Sequence, residues 1–471
     1  MGACAAPGPL SETDGDIAID RIVHAARDAH ALDDVRELAS IGPRLTGSRD
    51  DARAIDWALG KFSRAGLQAV HRETWSIPSA WHRGFARAEM VAPERRAVPV
   101  SSYGWAGSTP RGGVTASLVR VDGAHIEREI ARSSSTWRGR IVLVIPPAAS
   151  DSLMAFAQLR RLVQAAQDAH ALGMIRRDPR PGGLHTGPVA YDGRAVELPA
   201  VDIGEREARQ LDRMTAAGET VRVHLEVSNT ATSVPVPTAN VIGELRGREH
   251  PEEIVLIGAH LDSWDLGTGA VDDGVGVATV IGVARTLKAL AVAPRRSLRF
   301  VLFTGEEQGL LGSRAYVAAH RRELPNIVCA LALDWGSGPI AGIPLSGHLE
   351  MAPAFSALAK RLAPLQPIRV GNGYSSFTDA YAFTVAGAPG IGLYQDSPDY
   401  GRVGHSADDT FERVDATALD RNVAIAAALV MNLADRRERI GASWDAATTA
   451  AVLSRDGQRP ALEALGLWPP R

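Results

Sequence analysis

The sequence predicts an α/β fold: a mostly parallel sheet covered by helices on both faces, with a mainly β domain inserted into it. Three observations carry this. From Ala239 onward, continuous apolar runs alternate with helical stretches, as parallel strands buried on both faces require. Between about residues 100 and 232 the pattern differs, with short β-type runs and turns such as Arg180-Pro181-Gly182-Gly183. Imidazole and carboxylate side chains follow the strands of the C-terminal half, and such sheets bind ligands beyond the carboxyl ends of their strands.

The elements follow in order. Residues 1–18 are rich in Gly, Pro and Ala and are expected to be disordered. Ile22, Val23, Ala26 and Val35 recur at helical spacing and predict a helix over Ile19–Leu38, broken at Ile41-Gly42-Pro43-Arg44. A second helix is expected at about 48–65, striped by Ile55, Ala58, Leu59 and Phe62, and then a strand over Gln68–Ile77. Ser117–Val121, Arg140–Ile145 and Val221–Val227 read as strands of the insertion, with one helix at about Leu153–Leu172. Beyond it the expected strands are Glu253–Gly258, Leu298–Phe303, Ile327–Leu333 and Gly390–Leu393. The helices between and after them are Gly274–Leu290, Leu310–His320, Ala380–Ala386 and Ala416–Ala434. After about Arg439 one weak helical segment remains before Pro469-Pro470. The division is therefore 1–18, a main domain of 19–99 and 233–440, an insertion of 100–232, and a tail of 441–471.

Composition narrows the function. Of 471 residues 45% are hydrophobic and 22% charged, enough to bury a full core. A net charge of −3 argues against nucleic acid as a partner. The basic charge is nearly all arginine, since Lys61, Lys288 and Lys360 are the lysines. Cys4 and Cys329 make neither a disulfide framework nor a thiolate metal site, and Cys329 lies in an apolar run where a buried thiol is expected. No apolar run approaches the ~18 residues that span a membrane. No signal-peptide core is visible, although Met1-Gly2-Ala3-Cys4 has the form of a lipoprotein signal's end.

The chemistry sits after the strands. Ala259-His260-Leu261-Asp262 follows the first, and Gly269-Ala270-Val271-Asp272-Asp273-Gly274 forms the next loop. Gly305-Glu306-Glu307, Asp334, and Gly404-His405-Ser406 with Asp408-Asp409-Thr410 follow later strands. Each alone has a bland reading: a structural histidine, a helix-capping Asp-Asp-Gly turn, a Glu pair at a helix dipole. Their common place on one sheet edge is what singles them out. Oxygen and nitrogen ligands without thiolate suit zinc-type divalent ions. A two-metal hydrolase needs a bridging carboxylate, further ligands for each ion and a carboxylate that moves protons. Six residues meet that need: His260, Asp272, Glu306, Glu307, Asp334 and His405. Asp262, two residues beyond His260, is placed to hold its imidazole through the second ring nitrogen.

At these residues the sequence resembles the M28 family of metallopeptidases, most of all its carboxypeptidase Q branch of dipeptidases. His260-Leu261-Asp262-Ser263-Trp264-Asp265, the Gly269–Gly274 loop and Glu306-Glu307-Gln308-Gly309 carry the likeness. Ile41-Gly42-Pro43-Arg44-Leu45-Thr46-Gly47-Ser48, Ala386-Gly387-Ala388-Pro389-Gly390 and His405-Ser406-Ala407-Asp408-Asp409-Thr410 extend it over roughly 35–435. The resemblance implies a zinc aminopeptidase-like fold with a protease-associated-type insertion narrowing the cleft. It implies two divalent ions, Zn²⁺ by expectation. Asp272 would bridge them, His260 and Asp334 complete one site, and Glu307 and His405 complete the other. Glu306 would be the general base, acting on a water shared between the metals. Asp273 would lie behind the ligands, joined to Asp272 by a cis peptide bond. Peptides with a free N-terminus are the implied substrates, a homodimer the implied assembly, and an exported location is favoured. The segments Gly371–Asp379 and Ser397–Val403 depart from the branch, so Tyr374 and Asp379 are expected near substrate while preference is left open. A glutaminyl cyclase of the same fold and a non-catalytic binding protein are the alternatives; a complete ligand set with Glu306 argues against both. No strand ends in G-x-G-x-x-G, and no G-x-S-x-G is present, which sets aside a dinucleotide enzyme and a serine hydrolase.

Overall fold

The computed structural model describes residues 15–145 and 153–468. Cys4, most of the expected disordered start and Pro469-Pro470 lie outside the described residues. Two eight-stranded sheets organise the chain.

The main sheet runs, edge to edge, Gln68–Ile77, Val236–Leu245, Arg296–Phe303, His250–His260, Ile327–Leu333, Gly390–Gln395, Ile340–Pro344 and Arg369–Gly371. Its four central strands, Arg296–Phe303 to Gly390–Gln395, are mutually parallel, and antiparallel strands flank them. Side chains alternate across it. Val255, Ile257 and Ala259 enter one apolar core, while Ile254 and Leu256 enter another on the opposite face. The first face is covered by Val275–Ala289 and Ala416–Asp435, the second by Leu311–Ala319 and Ala380–Val385. Cys329 is a free, buried thiol in the first core.

The second sheet runs Arg96–Val98, Ala86–Ala92, Arg222–Val227, Val114–Asp122, Ile141–Ile145, Gly173–Arg176, Ala200–Ile203 and Val100–Ser102. It carries the expected helix, Leu153–Asp168, and two more than the sequence pattern suggests, Ile126–Ser133 and Glu205–Ala216. The strands from Val114–Asp122 to Ala200–Ile203 are parallel, and parallel neighbours need crossovers, which Ile126–Ser133 and Leu153–Asp168 supply for the first two pairs and a long loop for the third. Val142 and Val144 face one core, Ile141 and Leu143 the other.

Other differences are local. The expected helix Ile19–Leu38 is two, Gly15–Ala26 and Ala31–Ile41, so the first begins inside the segment read as disordered. The tail carries two helices, Ala446–Arg455 and Arg459–Leu465, rather than one. The helix Arg49–Arg64 starts where Ser48 accepts a bond from the Asp51 amide, a cap worth about 1 kcal/mol. Among the described residues, no helix is long and apolar enough to cross a membrane.

Candidate metal centre

The parallel strands deliver the site. His260 ends its strand in register with Phe303, so Glu306 and Glu307, just past Phe303, emerge beside it. The chain turns at Gly305, whose φ of 75° lies in the left-handed region and whose Cα sits against the Trp75 ring. Asp334 follows Ile327–Leu333, the neighbour on the other side. Asp272 and Asp273 come from the turn before Val275–Ala289, and the peptide bond between them is cis. His405 follows the short helix Tyr400–Val403 and has a left-handed φ of 59°.

One carboxylate spans the cluster. Asp272 Oδ1 lies 3.1 Å from His260 Nε2, and Asp272 Oδ2 lies 3.2 Å from His405 Nε2. Asp334 Oδ1 is 3.4 Å from His260 Nε2, and Glu307 Oε2 is 3.2 Å from His405 Nε2. Ligand-capable atoms of His260, Glu306 and Asp334 lie within 4.8 Å of one another, as do those of His260, Asp272 and Glu307. Asp272 Oδ2 and Glu307 Oε1 are buried without a hydrogen-bond partner, an expensive state for carboxylate oxygens that lack a cation. With imidazole and carboxylate donors and no thiolate, this set fits divalent ions of the zinc type.

Burial sets the protonation. Burial would depress both imidazoles, but their carboxylate neighbours outweigh it. Glu307 and Asp272 push His405 up to about 10, and Asp334, Asp262 and Asp272 push His260 well above its usual range. Asp272 is held below the ordinary carboxylate range despite burial, because both imidazoles stand against it. Burial, with Asp334 adding to it, raises Glu306 well above the glutamate range, and burial raises Asp334 to about 7.

The surroundings brace these groups. His260 Nδ1 lies 3.1 Å from the Asp262 main-chain carbonyl, while the Asp262 carboxylate stands back at 3.7 Å. The expected orienting contact is thus made mainly by the backbone of Asp262. Its carboxylate accepts from Thr46 Oγ1 at 3.0 Å and from the Glu306 amide at 3.3 Å. Asp273 accepts from the amides of His260 and Gly276, tying strand to helix behind the ligands. Arg44 is fully buried and donates to the carbonyls of Leu261, Thr268 and Gly269 at 2.7, 2.6 and 2.8 Å. Asp409 accepts from the Val271 amide at 2.7 Å, just before Asp272. Trp264 Nε1 donates to Glu307 Oε2 at 2.6 Å.

A cleft of ≈ 310 Å³ opens over the cluster, lined by Asp272, Glu306, Glu307, Asp334 and His405. Phe156, Arg180 and Tyr191 enter it from the second sheet's segment; Trp335, Phe377 and Tyr400 enter from the main one. Tyr374 and Asp379 are not in this lining. Tyr374 bonds Asp456 at 2.7 Å and lines a separate groove, because the tail helices pack over it. Asp379 is buried beneath the cleft before Ala380–Val385, raised by burial to about 7. Sequence reasoning assigned no role to Arg44, Thr46, Trp264 or Asp409, although all four lie in motifs it singled out. Nothing in the sequence marks Phe156 or Tyr191, because packing of one sheet's segment over another's strand ends leaves no periodic trace.

A parallel-centred sheet that gathers imidazoles and buried carboxylates at one edge defines the class of metal-dependent hydrolases. Comparison with known proteins narrows it: the chain belongs to peptidase family M28. That family's profile matches residues 240–430. Carboxypeptidase Q of Mus musculus is 30% identical over 404 residues, covering 85% of this chain and 84% of that protein, and the Homo sapiens enzyme is 30% identical over 405. Among solved structures, a Peptidase M28 precursor from Shewanella amazonensis superimposes with a TM-score of 0.81 at 30% identity, covering 92% of this chain and 100% of that one. An aminopeptidase from Aneurinibacillus shares the fold, with a TM-score of 0.67 at 22% identity over 90% of this chain and 97% of that one.

Proposed function

We propose that the chain is a two-metal exopeptidase that hydrolyses dipeptides or short peptides with a free N-terminus. The observation that carries this reading is Asp272, whose two oxygens face two different imidazoles at 3.1 and 3.2 Å. His260 and Asp334 would hold one ion, Glu307 and His405 the other, with Asp272 shared. Bound there, such ions polarise a carbonyl and make water a nucleophile at neutral pH.

Glu306 supplies the proton chemistry. Its carboxylate takes a proton from the attacking water and returns it to the leaving amine. The Tyr400 hydroxyl, 3.5 Å from Asp334 Oδ1, stands in the cleft and can donate to a substrate oxygen. The segment of the second sheet, which begins at Ala86–Ala92 rather than at residue 100, acts as a protease-associated-type insertion: Phe156 and Tyr191 wall the cleft and keep bulk water from the reacting bond. The carboxypeptidase Q relatives support a peptide substrate.

The test is a panel of free dipeptides, longer peptides and N-blocked peptides given to zinc-loaded protein, with Glu306→Gln as the blank and products read by mass spectrometry. Loss of free dipeptides with survival of N-blocked ones is the expected result. Cleavage of none, with metal bound, rejects the peptidase assignment.

A further inference from the structure

We propose that Trp264 is a positioning residue for the Glu307/His405 half of the centre, and that the second sheet holds this half in place through Trp264 and Thr186. The inference rests on the two-metal reading above.

The halves are held differently. His260 and Asp334 stand at the ends of adjacent parallel strands, so main-sheet hydrogen bonding fixes their spacing. Glu307 and His405 lie on loops and need other support. The buried Trp264 indole donates to Glu307 Oε2 at 2.6 Å, and that same oxygen lies 3.2 Å from His405 Nε2. Glu307 Oε1 is left buried with no hydrogen-bond partner. His405 is clamped from the opposite side. The Thr186 amide donates to the His405 carbonyl at 2.9 Å, and His405 Nδ1 lies 3.1 Å from the Thr186 carbonyl. A carbonyl only accepts, so Nδ1 carries the hydrogen, which leaves Nε2, on the carboxylate side, as the nitrogen that would hold an ion.

Thr186 belongs to the second sheet's segment, and Trp264, which follows the main-sheet strand His250–His260, is packed in place by that segment. Trp264 packs edge-on to Trp105 at 6.0 Å, and Trp105 stacks on Trp81 at 5.8 Å. Trp264 also packs against the His405 ring at 5.8 Å. It belongs to the apolar core that includes Tyr103, Trp105, Val142 and Leu162. Gly104 presses on the indole so closely that a Cβ there would stand 2.1 Å from its Cζ3. The orientation of Glu307 is thus set by aromatic packing that the main sheet does not supply.

The test is calorimetric titration of the metal-free protein with Zn²⁺. Wild type takes up two ions. Trp264→Phe keeps the ring and removes the N–H; it should bind one ion as before and the other about 10–100-fold more weakly. Its metal-free melting temperature should stay near that of wild type. Gly104→Ala crowds the indole without altering its chemistry and should weaken the same single site. Unchanged affinities in Trp264→Phe, or an equal loss at both sites, overturns the inference while leaving the two-metal reading intact. Fewer than two ions in wild type overturns that reading and the inference with it. If Trp264→Phe does not fold, the Gly104→Ala titration decides: one-site loss supports the inference, and two unchanged sites overturn it.

Discussion

The two sheets are built by one rule and used in two ways. In each, a central strand sends alternate side chains into two apolar cores, and parallel strands deliver polar groups at their carboxyl ends. In the second sheet one such carboxylate, Asp178, is neutralised by arginine. Asp178, just beyond Gly173–Arg176, accepts from Arg180 Nε at 2.8 Å and from its Nη2 at 3.0 Å. Although burial opposes it, Arg180 and Arg176 hold this carboxyl well below its usual range. At Glu306 of the main sheet burial wins over pairing, and the carboxyl rises instead. A strand-end carboxylate marks a reactive centre when its oxygens lack cationic partners, not merely when it sits at a strand end.

The change that breaks this contrast hardest is Glu306→Gln. It preserves shape and removes the proton carrier, so turnover should fall by about 10²–10⁴-fold with metal content unchanged. Near-normal turnover, measured on the best dipeptide, would sink the base assignment. Next comes Arg44→Met. The buried guanidinium carries three carbonyls of the loop that leads to Asp272, and removing it strands all three. Unfolding free energy in urea should drop by about 3 kcal/mol or more. A loss under about 1 kcal/mol would mean the loop holds itself.

Metal removal tests the electrostatics. In the metal-free chain His405 is pushed up to about 10 from an ordinary value of 6.5. The stability it contributes is therefore whole below about pH 6.5 and is lost as pH rises to about 10. Asp334, raised by burial to about 7, acts in the same sense at lower pH, since the folded state keeps its proton longer than the unfolded one. Melting temperature with chelator should fall across this window, reflecting a loss on the order of a few kcal/mol, while the metal-loaded protein should stay flatter because ions replace protons. A chelated protein that grows more stable from pH 7 to 10 would contradict the arrangement.

Much of this was legible in the chain. Apolar runs such as Ile327–Leu333 name their own strands because burial on both faces leaves no polar position. Of the six candidate site residues, His260, Glu306, Glu307 and Asp334 are legible because chain order places them at or just past such a run, while Asp272 and His405 lie on loops further on and are marked by their motifs. The residues that brace them are not. Trp264 reads as one more apolar side chain until Glu307 is seen 2.6 Å from its nitrogen. Arg44 is a buried cation whose partners lie more than 200 positions away. The helices of the second sheet are hidden for another reason: Glu205–Ala216 buries little more than Ala208 and Leu211, too thin a stripe to declare itself.

The smallest expected effect probes the place where the two sheets meet over the cleft. Phe156, on the second sheet's helix Leu153–Asp168, packs against Tyr191 at 5.1 Å and against Phe377 of the main domain at 5.5 Å. These rings form an apolar wall beside the carboxylates and touch none of them in the contacts described. A wall that only binds side chains acts equally on ground state and transition state, so it moves KM and leaves kcat alone. An aromatic contact of this kind is worth about 0.5–1.5 kcal/mol. Phe156→Ala should therefore raise KM for dipeptides with apolar side chains by about 3–10-fold at unchanged kcat, with little change for glycine-containing ones. If kcat falls instead, the second sheet takes part in aligning the reacting bond, and its role extends from enclosing the site to building it.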